Sequence, residues 1–291
     1  MLYIINTLSN IKVAMNKLYY LLISLIFVSC SNDEPEYETF MQIASITNEG
    51  EYISQQFSYD SYGRVVTYRS MYPTETVTVE YEYVSDNLIK ITTKDINFDR
   101  NKIPDLVRTY QDNLHLENGR ATYCEGIFCQ IEQDKTSIEK KYRHDFSYTT
   151  SNLLNVVKCT EWYKEGDNWA EDKPWTWENF YYWDNGNLVK VEDFAGHSYP
   201  SFTYTFNYTD VTGVQNVVPI PMGRFQYIPL QLKGILGAQS VSLISEVHWD
   251  NSLNKSTSTS YRYEFNGSRI SKYKESCDDR MTETFSILWT K

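Results

Sequence analysis

The sequence predicts an all-β protein in which one large antiparallel meander curls into an open or closed barrel-like sheet. Three observations lead to this fold class: the composition, a two-residue alternation of side chains, and a repeated hairpin pattern. The 291 residues include 25 Tyr, 13 Phe and 7 Trp but six Ala. Residues that favour strands therefore abound, whereas the best helix former is scarce.

The strands are predicted from the alternation. In VTVEYEYV, Val77, Val79 and Tyr81 fall on one face, while Thr78 and Glu80 fall on the other. The stretches YRHDFSY, FTYTFNY and YRYEF alternate in the same way. A period of two residues is typical of a strand with one buried face.

The turns and the repeats predict how the strands connect. Asn118-Gly119, Asn185-Gly186 and Asn266-Gly267 each lie between strand-like stretches, and Asn-Gly supplies the positive φ angles that tight hairpins need. FSYDSYGRVVTY, FYYWDNGNLVKV and YRYEFNGSRISKY share one unit, which consists of tyrosine, turn residues and an aliphatic strand. This repetition favours a single β-meander domain over residues 40–291.

One segment, near residues 221–240, interrupts the hairpin pattern. RFQYIPLQLKGILG has apolar residues at both helical and irregular spacing, and it ends at Gly237. We expect a short helix or a packed loop that is inserted between two strands.

The first thirty residues predict the cellular location of the protein. Leu18 to Val28 form an apolar run that is long enough for a secretion signal but too short to span a bilayer, and Met15 is the more credible initiator. Val28-Ser29-Cys30 resembles the lipobox of bacterial lipoproteins. The resemblance implies that residues 1–29 are a cleaved signal peptide and that a lipid on Cys30 anchors the protein to the outer membrane.

Residues 30–39 are predicted to form an acidic tether. A polar, charged segment around a proline cannot bury enough apolar surface to order itself. Asp33, Glu34 and Glu36 also resemble the export signal that sends Bacteroidetes-type lipoproteins to the cell surface. Removal of residues 1–29 takes away two lysines and no acids, so the net charge of −11 becomes −13 (−11 − 2). A chain this acidic, without a basic cluster, is not expected to bind nucleic acid.

The hairpin units resemble the tyrosine-aspartate repeats of bacterial surface proteins. The body of the chain from about residue 40, with the segments LKGILGAQS and YEFNGSRISKYKES, resembles a Bacteroidetes lipoprotein family of unknown function described as having a porin-like fold. That resemblance implies a fold and a location, and it carries over no catalytic residues. Because many strands pair an aromatic face with a face of Glu, Lys, Arg and Thr, we expect the aromatic face to lie inside a curled sheet in water.

The sequence contains no catalytic motif. The patterns G-x-S-x-G, H-E-x-x-H and G-x-x-x-x-G-K-[ST] are absent, and the four histidines lie far apart. His144, on the aromatic face of YRHDFSY, is expected to be a hydrogen-bonded core residue. Paired carboxylates could hydrolyse a glycosidic bond, but the acids are too abundant for any pair to be distinctive. The protein is therefore predicted not to be an enzyme.

A candidate cation site lies in KDINFDRNKIPDLV. Four residues carry the side-chain oxygens that calcium prefers, three of them in alternation: Asp95, Asn97, Asp99 and Asp105. However, Arg100 occupies the position where an EF-hand loop has glycine, and Leu106 stands in place of the bidentate glutamate. The segment is interpreted either as a weak calcium site or as a polar hairpin loop, and no other cofactor is predicted.

A ring-rich stretch provides the candidate ligand site. Its six ring residues are Trp162, Trp169, Trp175, Trp177, Tyr181 and Trp183. If they are exposed beside carboxylates, they suit stacking on sugar rings. If the insertion or a loop covers them, they belong to the core, since large exposed apolar patches are uncommon.

Two functions follow from these alternatives. An exposed ring cluster supports a non-enzymatic surface lipoprotein that binds an extracellular ligand, either a glycan or an envelope protein. A covered cluster supports a structural or assembly module of the outer membrane that has no small-molecule ligand. A glycoside hydrolase is the third hypothesis.

Four cysteines remain after lipidation of Cys30, an even number in an oxidising compartment. Cys124 and Cys129 flank EGIF, whose Glu125-Gly126 pair could turn the chain and bring the two sulfurs together. The sequence therefore predicts either a Cys124–Cys129 disulfide or reduced thiols that pack as small apolar side chains.

Replacing Cys30 by serine is expected to release the protein from the membrane fraction. The acyl chains of a lipidated cysteine contribute about 0.8 kcal/mol per buried methylene, and serine cannot carry them. Fractionation of the native host followed by immunoblotting measures the shift. An intact, unmodified N-terminus in the mass spectrum of the wild-type protein would contradict the prediction.

Overall fold

The computed structural model describes residues 42–50, 54–99, 102–132, 135–165, 168–170, 174–194, 200–218, 227–251, 255–278 and 282–290. These residues belong to one compact unit, which runs from Gln42 to Lys291. The predicted signal peptide (1–29) and acidic tether (30–39), with Cys30, lie outside the described residues.

The described residues form seventeen strands in a single antiparallel sheet. In chain order the strands are β1 (Ile43–Asn48), β2 (Ser54–Tyr59), β3 (Val65–Met71), β4 (Glu75–Ser85), β5 (Leu88–Phe98), β6 (Pro104–Glu117), β7 (Arg120–Glu132), β8 (Lys135–Tyr148), β9 (Leu154–Glu165), β10 (Asn168–Trp169), β11 (Trp175–Asp184), β12 (Asn187–Phe194), β13 (Phe202–Thr212), β14 (Ser242–Asn251), β15 (Ser256–Asn266), β16 (Arg269–Cys277) and β17 (Glu283–Trp289).

The sheet closes on itself to form a barrel. Neighbours in sequence pair with one another, β9 pairs with β11, and β1 pairs with β17 as well as with β2. Sixteen of the strands formed by the described residues make up this closed barrel, and the two-residue β10 adds to the edge of β9. The all-β prediction is confirmed, in its closed form.

Alternation along the strands separates an inner face from an outer face. On β4, Val77, Val79 and Tyr81 are buried, whereas Glu80 and Glu82 are exposed. The buried aromatic and aliphatic residues join in one hydrophobic cluster. The prediction that the aromatic face lies inside the sheet is therefore confirmed.

The two ends of the barrel differ. Antiparallel strands place successive turns at alternate ends. The turns at Asn118-Gly119 and Asn185-Gly186 share one end with the β13–β14 connection, and we call it the plug end. The β9–β11 and β12–β13 connections lie at the opposite end, which we call the mouth end.

The β13–β14 connection fills the plug end, and we call this connection the plug. It contains the helix α1 (Ile228–Leu232), and Tyr227, Leu230 and Leu236 are buried. Its backbone also joins strand ends, since Ala121 N donates to Ile235 O at 2.9 Å. The predicted short helix or packed loop near 221–240 is confirmed over its described residues, 227–240. Among the described residues, no helix has the length and apolar character needed to span a membrane.

The first and last residues of the barrel meet at the plug end. Thr290 N donates to Gln42 O at 2.7 Å, and Gln42 N donates to Thr290 Oγ1 at 3.1 Å. Gln42 and Thr290, the first and last described residues, therefore both lie at the plug end.

Gly126 lets two inner side chains meet across β7. It pairs with Asp112 on β6 and with Tyr142 on β8, and the Tyr142 hydroxyl donates a hydrogen bond to Asp112 Oδ1. A Cβ at position 126 would lie 2.1 Å from that carboxylate oxygen and 2.7 Å from Gln111 O. Both Asp112 and Tyr142 are buried, so their hydrogen bond depends on the missing side chain.

The predicted Cys124–Cys129 disulfide is corrected by the structure. Neither cysteine forms a disulfide, and neither do Cys159 and Cys277. Glu125 and Gly126 do not turn the chain, because β7 pairs without interruption from Cys124 to Cys129 on both sides. Five steps along a strand separate the two α-carbons by about 16 Å and place the side chains on opposite faces, whereas a disulfide needs less than about 7 Å.

The substitution Gly126→Ala is expected to lower the free energy of unfolding by about 3 kcal/mol, because the new methyl group displaces the Asp112 carboxylate from a buried hydrogen bond. Urea unfolding followed by circular dichroism measures the loss. Gly50→Ala is the control, since the nearest atom there is Asn48 Oδ1 at 3.7 Å. Equal stabilities of the two variants would contradict the role given to Gly126.

Candidate functional site

The barrel contains a cavity of about 410 Å³, which we call the lumen cavity. Its walls are inner side chains of β6 to β9 and of β11 to β13, and Tyr227 from the plug reaches it. His144 Nδ1 and the Tyr227 hydroxyl share a hydrogen bond 2.7 Å long, and both residues are buried. His144 is thus the hydrogen-bonded core residue that the sequence predicts.

Three of the six predicted ligand-binding residues line the lumen cavity: Trp175, Trp177 and Tyr181. Trp175 begins β11 at the mouth end and keeps 49% of its surface exposed. Its ring centroid lies 5.8 Å from that of Trp177, which is deeper in the barrel and packs against the core. The exposed indole of Trp175 therefore contacts a ring that packs against the core of the barrel.

The other three predicted residues lie elsewhere. Trp183 points inward but lies under the plug, where its Nε1 donates to Leu154 O at 2.7 Å. Trp162 and Trp169 face outward, because their neighbouring strands bring them to Lys141 on the outer face. The Lys141 ammonium lies 5.5 Å from each of these two rings. The structure thus divides the predicted cluster between the inside, the plug and the outside of the barrel.

Trp162 also lines a groove of about 830 Å³ on the outer face of β5 to β9, which we call the outer groove. Its outward-pointing residues are mostly polar or charged and include Lys90, Gln111, Glu125 and Lys141. Although this groove is larger, the lumen cavity brings together more of the predicted rings and also holds buried charges. We therefore take the lumen cavity as the candidate site.

A buried ion pair forms one wall of the lumen cavity. Lys140 Nζ lies 2.6 Å from Glu161 Oε1, and the Glu161 side chain is 2% exposed. The Tyr163 hydroxyl donates to Glu161 Oε2 at 3.2 Å, and the Lys140 ammonium lies 5.2 Å from the Phe128 ring centroid. These polar groups line the cavity among aromatic rings. Sequence reasoning missed this pair, because only the β8–β9 register brings the two residues together.

Asp193 is a second carboxylate of the cavity that the sequence did not single out. It lies between Asn179 on β11 and Phe202 on β13. Burial raises the pKa of the Asp193 carboxyl above its ordinary value. Phe202 is 37% exposed, and its ring stacks on Trp249 at a centroid distance of 5.9 Å.

Three of the four candidate calcium ligands make other side-chain contacts. Arg108 Nη1 lies 2.9 Å from Asp95 Oδ2, and Asn97 Nδ2 donates to Asp95 Oδ1 at 3.1 Å. Asp99 Oδ1 accepts a hydrogen bond from Ile103 N at 2.8 Å, and Asp105 is exposed on β6. The described residues contain no group of three or more His, Cys, Asp or Glu arranged to hold a metal ion. These contacts argue against a strong calcium site, and a weak site stays a prediction.

The solved structures that are similar to this chain include those of two porin-like proteins. The one from Bacteroides vulgatus ATCC 8482 is 14% identical with a TM-score of 0.54, and the match covers 84% of this chain and 97% of that one. The one from Bacteroides uniformis ATCC 8492 is 15% identical with a TM-score of 0.53, covering 85% and 96%. No protein-family model and no curated protein matches the chain. At these identities the likeness shows the fold alone.

Replacing Lys140 by methionine is expected to lower the free energy of unfolding by about 3 kcal/mol, because the buried Glu161 carboxylate loses its ammonium neighbour. Lys164→Met is the matched control on the same sheet, since the Lys164–Glu139 pair is about one-third exposed and such pairs contribute less than about 1 kcal/mol. Denaturant unfolding measures both. Adding Glu161→Met to Lys140→Met should recover part of the loss; a further loss of similar size would contradict the explanation.

Proposed function

We propose that this protein is a non-enzymatic lipoprotein of the outer membrane surface that binds an extracellular glycan in its lumen cavity. The observation that carries the proposal is Trp175, which is half-exposed at the mouth end beside a buried wall of rings and charges. An indole face stacks on the apolar face of a sugar ring, and the Lys140–Glu161 pair offers a donor and an acceptor to hydroxyl groups.

The outer face of the barrel supports a position in water rather than in lipid. Its strands present charged side chains at mid-strand positions, for example Glu80 on β4, Lys94 on β5 and Glu125 on β7, all of them exposed. A barrel embedded in a bilayer presents an apolar band about 25 Å tall at those positions. The charged outer face, together with the acidic tether predicted after Cys30, supports a barrel that is attached to the membrane by a tether.

The tether would orient the site. Cys30 precedes Gln42 by twelve positions (42 − 30), which reach at most about 40 Å when extended. Because Gln42 lies at the plug end, a lipid on Cys30 would pull on that end. The mouth end, with Trp175, would then face away from the membrane and toward large extracellular molecules.

The positions of the two acids in the cavity argue against glycoside hydrolysis. Glu161 pairs with Trp175 and Asp193 pairs with Asn179, so the acids lie on either side of β11 and four residues apart along it. A rise of about 3.4 Å per residue over four residues, and two strand spacings of about 4.8 Å, then separate their α-carbons by about 17 Å. The carboxyl groups that flank a glycosidic bond lie about 5–9.5 Å apart.

The proposal is tested with the mature chain made soluble by Cys30→Ser, on an array of immobilised neutral and amino-bearing oligosaccharides. We expect binding to at least one glycan, and we expect Trp175→Ala to weaken it about tenfold through loss of ring stacking. Trp162→Ala, which removes an indole from the outer groove, should leave the affinity unchanged.

Three results would overturn the proposal. Absence of binding to every glycan would favour the structural module or an envelope-protein partner instead. Loss of binding in Trp162→Ala but not in Trp175→Ala would move the site to the outer groove. Release of reducing ends from a bound glycan would show that the protein is an enzyme.

A further inference from the structure

The charges that line the lumen cavity do not cancel. Lys140 and Glu161 neutralise each other at 2.6 Å, and the Tyr163 hydroxyl adds a hydrogen bond without charge. Asp193 is the remaining carboxylate of the wall. The cavity residues described by the structure thus carry one negative charge that no cation of the cavity balances.

The surroundings of Asp193 are mostly aromatic. No described residue makes an ion pair or a side-chain hydrogen bond with its carboxylate. Its direct neighbours across the sheet are Asn179 and Phe202, and Trp177 and Tyr181 lie two positions from Asn179 on the same inner face of β11. A partly buried carboxylate among rings is poorly solvated, so it gains from a cation that enters the cavity.

The aromatic rings of the cavity also favour the binding of a cation. The face of an aromatic ring carries partial negative charge, so cations bind over it, most strongly when they are shielded from water. Trp175 and Phe202 are exposed at the mouth end and give a cation a route along ring faces toward Asp193. The net charge of the mature chain, −13 (−11 − 2), draws cations from a distance as well.

We infer that the lumen cavity selects ligands that carry an ammonium group, which binds at Asp193 among the rings of β11 and β13. This inference rests on the proposed function and narrows it to one chemical class, amino sugars with unmodified amines. The Lys140–Glu161 pair would hold the hydroxyl groups of the same ligand, and Trp175 would stack on its ring.

The test uses two probes of the same length and linkage: the tetramer of β-1,4-linked glucosamine, with its amines protonated, and its fully N-acetylated counterpart. Titration by calorimetry at low salt gives both affinities. The wild-type protein is expected to bind the amine-bearing tetramer at least about tenfold more tightly. Asp193→Asn should reduce that ratio to about one.

Asp210→Asn is the matched control, because it removes the same charge from an exposed site on β13 near the plug end. Asp210→Asn should keep the wild-type ratio of the two affinities. If this variant lost the tighter binding of the amine-bearing tetramer, the overall charge of the protein would explain that tighter binding, and the inference would be overturned.

The wild-type comparison needs no variant, so misfolding of Asp193→Asn cannot hide the answer. Equal or tighter binding of the acetylated tetramer overturns the inference and leaves the proposed function intact. If the wild-type protein binds other glycans on the array but neither tetramer, the inference is also overturned and the proposed function is left intact. Absence of binding to all glycans removes the proposed function and this inference with it.

Discussion

The inside of the barrel is wider than its own side chains can fill, and the rest of the structure depends on how that space is occupied. About eight strands enclose a space that inward side chains fill completely, whereas sixteen leave a channel. Here the β13–β14 connection enters the plug end and adds Tyr227, Leu230 and Leu236 to the core. Because the plug occupies one end, the remaining space lies toward the mouth, where it forms the lumen cavity among inward rings and charges.

Much of the fold could be predicted because the strands and tight turns depend on residues that are close together in the sequence. The period of two along β4 depends on neighbouring residues, and the positive φ of Asn118 and Asn185 follows from their own side chains and the glycines after them. The closure of the sheet could not be predicted in the same way. Ile46 pairs with Ile287 across almost the whole chain, and nothing in either strand identifies its partner.

The site was predicted less well, since it depends on pairing between strands. Trp177 and Tyr181 are four positions apart on one strand and therefore share a face, but the sequence could not show that Trp162 lies on the opposite side of the sheet from them. The error at Cys124 and Cys129 has a related cause. Gly126 looked like a turn residue, yet it lies in mid-strand, where its lack of a side chain lets Tyr142 reach Asp112.

The pairing of β1 with β17 has a kinetic consequence. Strand β1 can complete its pairing only when β17 is present, and the paired residues Ile46 and Ile287 are 241 positions apart (287 − 46). Contacts at such long range make folding slow, and until they form both outer strands present unpaired amide and carbonyl groups that can join another chain. A truncated or incompletely folded molecule would therefore be an open sheet with two unpaired edges, and other copies of the chain could pair with those edges before the barrel closes.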